Sequence, residues 1–187
     1  MWLAKVRELT GNPIEVDWQP FSLSQVNNKD GDNVWERAEV VSGEDPVLLA
    51  HQAGLAVKRQ GKEAFEAYFM ALLKARHEDK ADLNDRAVID SAGNAAGIDM
   101  ARFAEDIADP DLLRELAESH TKAVDEYGAF GVPTFVFDNG NFAFLKMFIP
   151  PEEQSVEIYD NLMKSMSEYV HVGEFKRPQP PWPHGVI

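Results

Sequence analysis

The side chains best suited to covalent or metal chemistry are scarce in this chain. None of its 187 residues is a cysteine, so these residues can supply no disulfide, no thiolate nucleophile and no cysteine-ligated zinc. Five histidines remain, His51, His77, His120, His171 and His184. No two have the spacing that would put them on one helical face as ligands, and no metal site is expected. His120 falls among helical apolar positions and reads as a buried side chain with a backbone partner. Carboxylates are plentiful but do not converge. Glu105 and Asp106 are sequence neighbours on a helical pattern and point to different faces, whereas Asp109, Asp111, Glu152 and Glu153 sit at helix starts, where they complement the dipole. Dinucleotide-binding glycine motifs, phosphate loops and Gly-x-Ser-x-Gly turns are all absent. No catalytic residue is assigned.

Composition narrows the class further. Hydrophobic residues make up 44% and charged residues 27%, values of a folded globular chain long enough to bury its own core. A formal charge of −14 repels phosphate backbones and anionic headgroups, which argues against nucleic-acid and membrane-surface partners. No apolar run approaches the length of a membrane span and no export signal is visible, so a cytoplasmic location is expected.

The elements that must position any site follow from periodicity. Trp2, Leu3, Val6 and Leu9 have helical spacing, stopped at Thr10-Gly11-Asn12-Pro13. Ile14, Val16 and Trp18 alternate with polar residues and predict a strand over 14–18. Residues 22–42 are polar and predict a long surface loop. From Asp45-Pro46 to about Ala108 the pattern is helical throughout, with breaks near Gly61, His77 and Gly97. Asp109-Pro110 opens a further helix to Gly128. Thr134–Phe137, the turn Asp138-Asn139-Gly140 and a strand over 141–147 predict a β-hairpin, in which Phe142, Phe144 and Phe148 read as packing. A last helix opens at Pro150-Pro151, and Lys176–Pro183, with Trp182, reads as an extended proline-rich arm. Helices on an open α/β sheet fit this order.

The segment Gly131-Val132-Pro133-Thr134-Phe135-Val136-Phe137 resembles the cis-proline loop of thioredoxin-like proteins. Together with Val16–Leu23, His120–Val124 and Gly173–Pro178 it is similar to the DsbA-like subfamily, which includes DsbA-type oxidoreductases and 2-hydroxychromene-2-carboxylate isomerases. The resemblance implies a discontinuous thioredoxin-like domain over 1–42 and 109–187, with an all-helical subdomain inserted over 43–108. It also implies a substrate groove lined by Val132, Pro133 and Thr134 on the proline loop and by Trp18, Phe21 and Leu23, with His51 as a further groove-facing candidate.

The same resemblance implies that Trp2 and Leu3 lie about two turns beyond the position of a Cys-Pro-x-Cys or serine motif, so the N-terminal strand and that motif are expected to be missing. Two readings follow, a sequence truncated at its start or a protein that works without the motif. Either implies an open slot in the sheet, filled by a swapped segment or by a homodimer. The expected function is that of a DsbA-like thiol–disulfide oxidoreductase family protein, redox-inactive as given. The alternatives are a glutathione-dependent isomerase type and a non-catalytic module that binds an extended peptide or a small thiol. No cofactor is assigned, glutathione or a related thiol being the ligand the resemblance suggests.

Overall fold

The computed structural model describes residues 1–174; the arm expected over 176–183 and His184 lie outside the described residues. Helix α1 (Trp2–Thr10) buries Trp2 and Val6, and Gly11 ends it at φ 67°, donating its N–H to the Arg7 carbonyl at 2.9 Å. That left-handed backbone is the conformation glycine adopts at least cost.

Residues 14–18 depart from the sequence expectation. Ile14, Val16 and Trp18 are half-buried while Glu15 and Asp17 are exposed, yet the segment is not a strand. Alternation specifies a buried face, but a strand also requires a ladder, and the sheet of the described residues contains only the hairpin pair.

The loop expected over 22–42 is also corrected. It holds α2 (Leu23–Val26), a 3₁₀ turn at Val34–Glu36 and α3 (Ala38–Val41). Ser22 Oγ caps α2 by accepting the Gln25 N–H at 3.1 Å. Arg37 then gathers the polar centre by donating to Asn28, Asp30 and Asp32 at 3.0, 2.9 and 2.8 Å. This folding buries Val34, Trp35 and Val40, three apolar residues whose spacing is too irregular to show as a pattern.

The remaining helices follow the apolar periodicity. They are α4 (Leu49–Lys58), α5 (Lys62–His77), α6 (Arg86–Ala96), α7 (Met100–Asp106) and α8 (Asp111–Tyr127). Asp45-Pro46 forms a turn ahead of α4, with Asp45 Oδ1 accepting the Val47 N–H at 3.0 Å. Asp85 and Asp99 cap α6 and α7 through backbone N–H groups. Strands β1 (Thr134–Val136) and β2 (Phe142–Phe144) pair antiparallel, and α9 (Glu152–Glu168) follows. The second strand is shorter than the expected 141–147, because the ladder ends once the chain runs into Ile149-Pro150-Pro151.

The described residues form two compact units, Met1–Trp18 with those from Tyr127 onward, and Gln19–Glu126. In the first, Trp2 meets Tyr159 of α9 edge-on at 5.9 Å. The side-chain amides of Asn139 and Asn141 donate to the Ser167 carbonyl at 2.7 and 2.6 Å, tying the hairpin turn to the end of α9. In the second, Leu48, Val57, Tyr68, Ile89, Phe103, Leu112 and Leu116 are fully buried in one core, each large side chain contributing about 1.5–3 kcal/mol by leaving water. At its edge, Arg59 donates to Asp109 and Glu115, both at 2.7 Å, and its carbonyl accepts from Arg102 at 2.7 Å, so one residue joins α4, α7 and α8.

The Tyr68 hydroxyl is buried in that core with no hydrogen-bond partner among the described residues. Burial pushes its ionisation well above the usual phenol range. Leaving such a group unsatisfied costs stability, so Tyr68→Phe is expected to raise the unfolding free energy by about 1 kcal/mol. Urea denaturation checks this; a loss of stability would mean that the hydroxyl is partnered.

Candidate functional site

The chain enters the hairpin through Gly131, Val132 and Pro133, and the Val132–Pro133 peptide bond is cis, as the resemblance implies. The Thr134 hydroxyl donates to the Gly131 carbonyl at 2.8 Å and closes the loop. Gly131 faces the Phe144 ring so closely that an added Cβ would lie 3.1 Å from it, which explains a residue without a side chain at this step. At the far end Gly140, at φ 84°, donates to the Phe137 carbonyl, and Phe137 donates to Asn141. This is the geometry expected of a three-residue hairpin loop with glycine in the left-handed position.

The ladder register determines which way each backbone group points. Thr134 pairs with Phe144, Phe135 with Ala143 and Val136 with Phe142. Leu145 donates to the Pro133 carbonyl and Phe137 to the Asn141 carbonyl. In an antiparallel pair the hydrogen-bonded positions alternate, so Pro133, Phe135 and Phe137 bond across to β2 while the N–H and C=O groups of Thr134 and Val136 point the other way. Among the described residues none of those outward groups has a backbone partner. The unpaired edge is also apolar. Val132, Val136 and Phe142 are each close to half exposed, and Phe130 is 65% exposed, its ring centroid 4.8 Å from that of Phe144. Residues 127–149 carry only two charged side chains, Asp138 and Lys146.

A second arrangement lies in the helical unit, around Pro20, Phe21 and Ser22. The Pro20 carbonyl accepts the Ser119 hydroxyl at 2.8 Å. The Phe21 carbonyl bonds His51 Nε2 at 3.1 Å, and the Ser22 N–H donates to His120 Nδ1 at 3.2 Å. The Phe21 ring stacks on the His120 ring at 4.4 Å, with Trp35 tilted against the same imidazole at 5.3 Å. Burial pushes both histidines below the ordinary imidazole range. For His51 the bond to the Phe21 carbonyl opposes that shift, whereas for His120 the His51 charge adds to it.

Of the residues singled out in the sequence, Val132, Pro133, Thr134 and Trp18 thus fall in the first unit, Trp18 half-buried. Phe21 and Leu23 fall in the second, Phe21 stacked on His120 and Leu23 exposed at the start of α2. His120 is buried with a backbone partner, as expected. The joint use of His51 and His120 was not legible, because 98 residues separate Ser22 from His120 and no local pattern announces their bond. Among the described residues no three His, Asp or Glu side chains converge as a metal site, and no helix is long and apolar enough to cross a membrane.

A hairpin entered through a cis-proline and followed by a helix packed on it agrees with the thioredoxin-like resemblance. The family model described as "DSBA-like thioredoxin domain" matches residues 2–153, and the chain belongs to that family. A ClpXP adapter protein, SpxH of Shouchella clausii (strain KSM-K16), is 28% identical over 127 residues, covering 65% of this chain. The chain spans 41% of that protein's length.

The ladder geometry is open to test. Phe135→Pro removes a donor that bonds β2 and is expected to cost about 1–3 kcal/mol and abolish the hairpin. Val136→Pro removes an outward donor and is expected to keep the cross-strand contacts between Pro133 and Leu145 and between Phe137 and Asn141. Amide exchange and cross-strand nuclear Overhauser effects in the two variants check this, and equal disruption would mean that the parity is reversed.

Proposed function

We propose that this DsbA-like chain is a polypeptide-binding module that takes an extended segment along the outer edge of β1, beside the Val132–Pro133 loop. The observation that carries the reading is the pair of outward-facing backbone positions, Thr134 and Val136. An incoming strand satisfies such groups by main-chain bonding, and its alternate side chains meet the apolar surface of Val136, Phe142 and Phe144. Trp18, in the same unit, belongs to the same proposal as a further contact, whereas Phe21 and Leu23 lie in the other unit and are left out of it. The division into a thioredoxin-like frame over 1–42 and 109–187 with a helical insertion over 43–108 belongs to the proposal as well.

Binding rather than turnover is favoured by the absence of cysteine. A mixed disulfide needs a thiolate, and none of these residues can form one. The relative's name, an adapter protein, is consistent with a family member whose work is to hold another protein. Glutathione, itself a short extended peptide, is a weaker candidate for the same edge, and a second copy of this chain pairing β1 with β1 is a competing occupant.

The chain is expected to reduce no insulin above the protein-free control. It is expected to bind a soluble peptide of alternating threonine and valine, and Val136→Pro is expected to weaken that binding by about tenfold, the worth of one or two net hydrogen bonds. Titration of the ¹⁵N-labelled chain reads the site directly. Shifts centred on Thr134 and Val136 support the proposal. Thiol turnover, or peptide binding that Val136→Pro leaves unchanged, overturns it, and a concentration-dependent dimer that excludes peptide assigns the edge to a second copy.

A further inference from the structure

The bonds around Phe21 dictate a protonation state. His120 Nδ1 accepts the Ser22 N–H, so Nδ1 carries no proton and a neutral ring holds its proton on Nε2. His51 Nε2 faces the Phe21 carbonyl, which can only accept, so His51 also holds its proton on Nε2. Its other nitrogen, Nδ1, is buried with no hydrogen-bond partner among the described residues. The two neutral imidazoles therefore share one tautomer, set by backbone groups of two adjacent residues; the Ser22 N–H disfavours a proton on His120 Nδ1, whereas for His51 it is burial that opposes the charge. With the Ser119 hydroxyl on the Pro20 carbonyl, three consecutive residues are each fastened by one side chain of α4 or α8.

We propose that His51 and His120 are positioning residues that clamp Pro20–Ser22, that the His120 bond to Ser22 holds only while that ring is neutral, and that protonation of the pair frees the segment. The inference does not depend on the polypeptide-binding reading. A proton added to His120 goes to Nδ1, where it confronts the Ser22 N–H, so the bond is lost and two donors face each other. A proton added to His51 also goes to Nδ1, where it meets no acceptor. The two resulting charges repel. A charged His120 would gain from the Phe21 and Trp35 ring faces, but that gain needs no bond to Ser22 and leaves the donor clash in place.

Among the described residues no carboxylate pairs with either ring. On α8, Glu118 and Lys122 stand two residues either side of His120, on other faces, and both are exposed. On α4, the charged residue Lys58 lies two turns beyond His51. Ahead of α4, Asp45 is turned to the Val47 N–H. On the 3₁₀ turn, Glu36 is exposed, and Arg37 next to it is committed to Asp30 and Asp32. Residues 20–22 carry no charge. The sign follows. Folded-state imidazoles that titrate below the ordinary value of 6.5 take up protons less readily than the same rings do once the segment is released, so release is favoured as pH falls below about 6.5 and the effect is complete once both folded rings titrate.

The test uses the ¹⁵N-labelled chain. At pH 7.5, long-range nitrogen–proton spectra are expected to show both rings as the Nε2–H tautomer. On lowering the pH to about 5.5, protection of the Ser22 amide, corrected for intrinsic exchange, is expected to fall by about tenfold while Ala53 and Leu116 stay protected. In His51→Gln with His120→Asn, the amides replace the ring donor and acceptor without titrating. That pair is expected to keep Ser22 protected at both pH values. An Nδ1–H tautomer of either histidine, a wild-type Ser22 amide that does not respond to pH, or a double variant with the wild-type slope overturns the proposal. Should the double variant not fold, the wild-type tautomer and titration decide it alone.

Discussion

Every backbone amide taken from water has to find a partner, and in the hairpin unit this requirement is met on one side only. An antiparallel strand divides its hydrogen-bonding groups between its two neighbours by parity. Here Phe135 is spent on Ala143, so Thr134 and Val136 necessarily face outward. Turning them inward by a one-residue slip of β1 would also move Val136 to the face opposite Phe142 and Phe144. The direction of the free backbone groups and the apolar character of the surface beside them are thus one choice, made by the register. Gly131, Gly140 and the two asparagine bonds to Ser167 hold that register.

The helical unit meets the same requirement differently. Among the described residues Pro20, Phe21 and Ser22 have no strand beside them, and side chains from α4 and α8 supply the partners that a ladder would have supplied. A side-chain partner differs from a backbone one in having its own acid–base chemistry. A carbonyl accepts at any pH, whereas an imidazole nitrogen accepts only while neutral. Using His120 to hold Ser22 therefore couples a piece of local structure to proton concentration, which a peptide group in the same place would not do.

How much of this was legible in the sequence depended on whether the determining interactions are local. The periodic helices were legible, since α1, α5, α6, α7, α8 and α9 each repeat their apolar residues at helical spacing, and all but α9, which opens after Pro150-Pro151, meet a cap or a glycine at the expected place. So was the hairpin turn, because Asn139-Gly140 specifies it within three residues. Ile14–Trp18 misled, because alternation records which side chains are buried but not whether a neighbouring strand exists. Residues 22–42 misled in the opposite sense. Their fold rests on Arg37 collecting three side chains and on Val34, Trp35 and Val40 reaching a core built from other segments, and none of these leaves a period. Of the candidate site, the proline loop could be read from seven consecutive residues, but the His51–His120 pair required knowing that α4 and α8 both pass residues 20–22.

Membership of the family does not by itself bring a thiol, since none of these residues is a cysteine. A thioredoxin-like frame contributes two things, a reactive group and a surface that orders an extended partner, and only the first requires cysteine. The second requires a proline that leaves the backbone without a competing donor, an edge with outward amides and a surface that rewards alternate apolar side chains. Residues 132–144 carry a cis-proline, outward backbone groups and exposed apolar side chains, with only Asp138 charged among them, in a chain of net charge −14. Electrostatic attraction would act over the whole acidic surface and select poorly, whereas a neutral edge can discriminate only by main-chain pairing and side-chain fit. Such an edge suits recognition of conformation, a segment already extended or able to become so, rather than of charge.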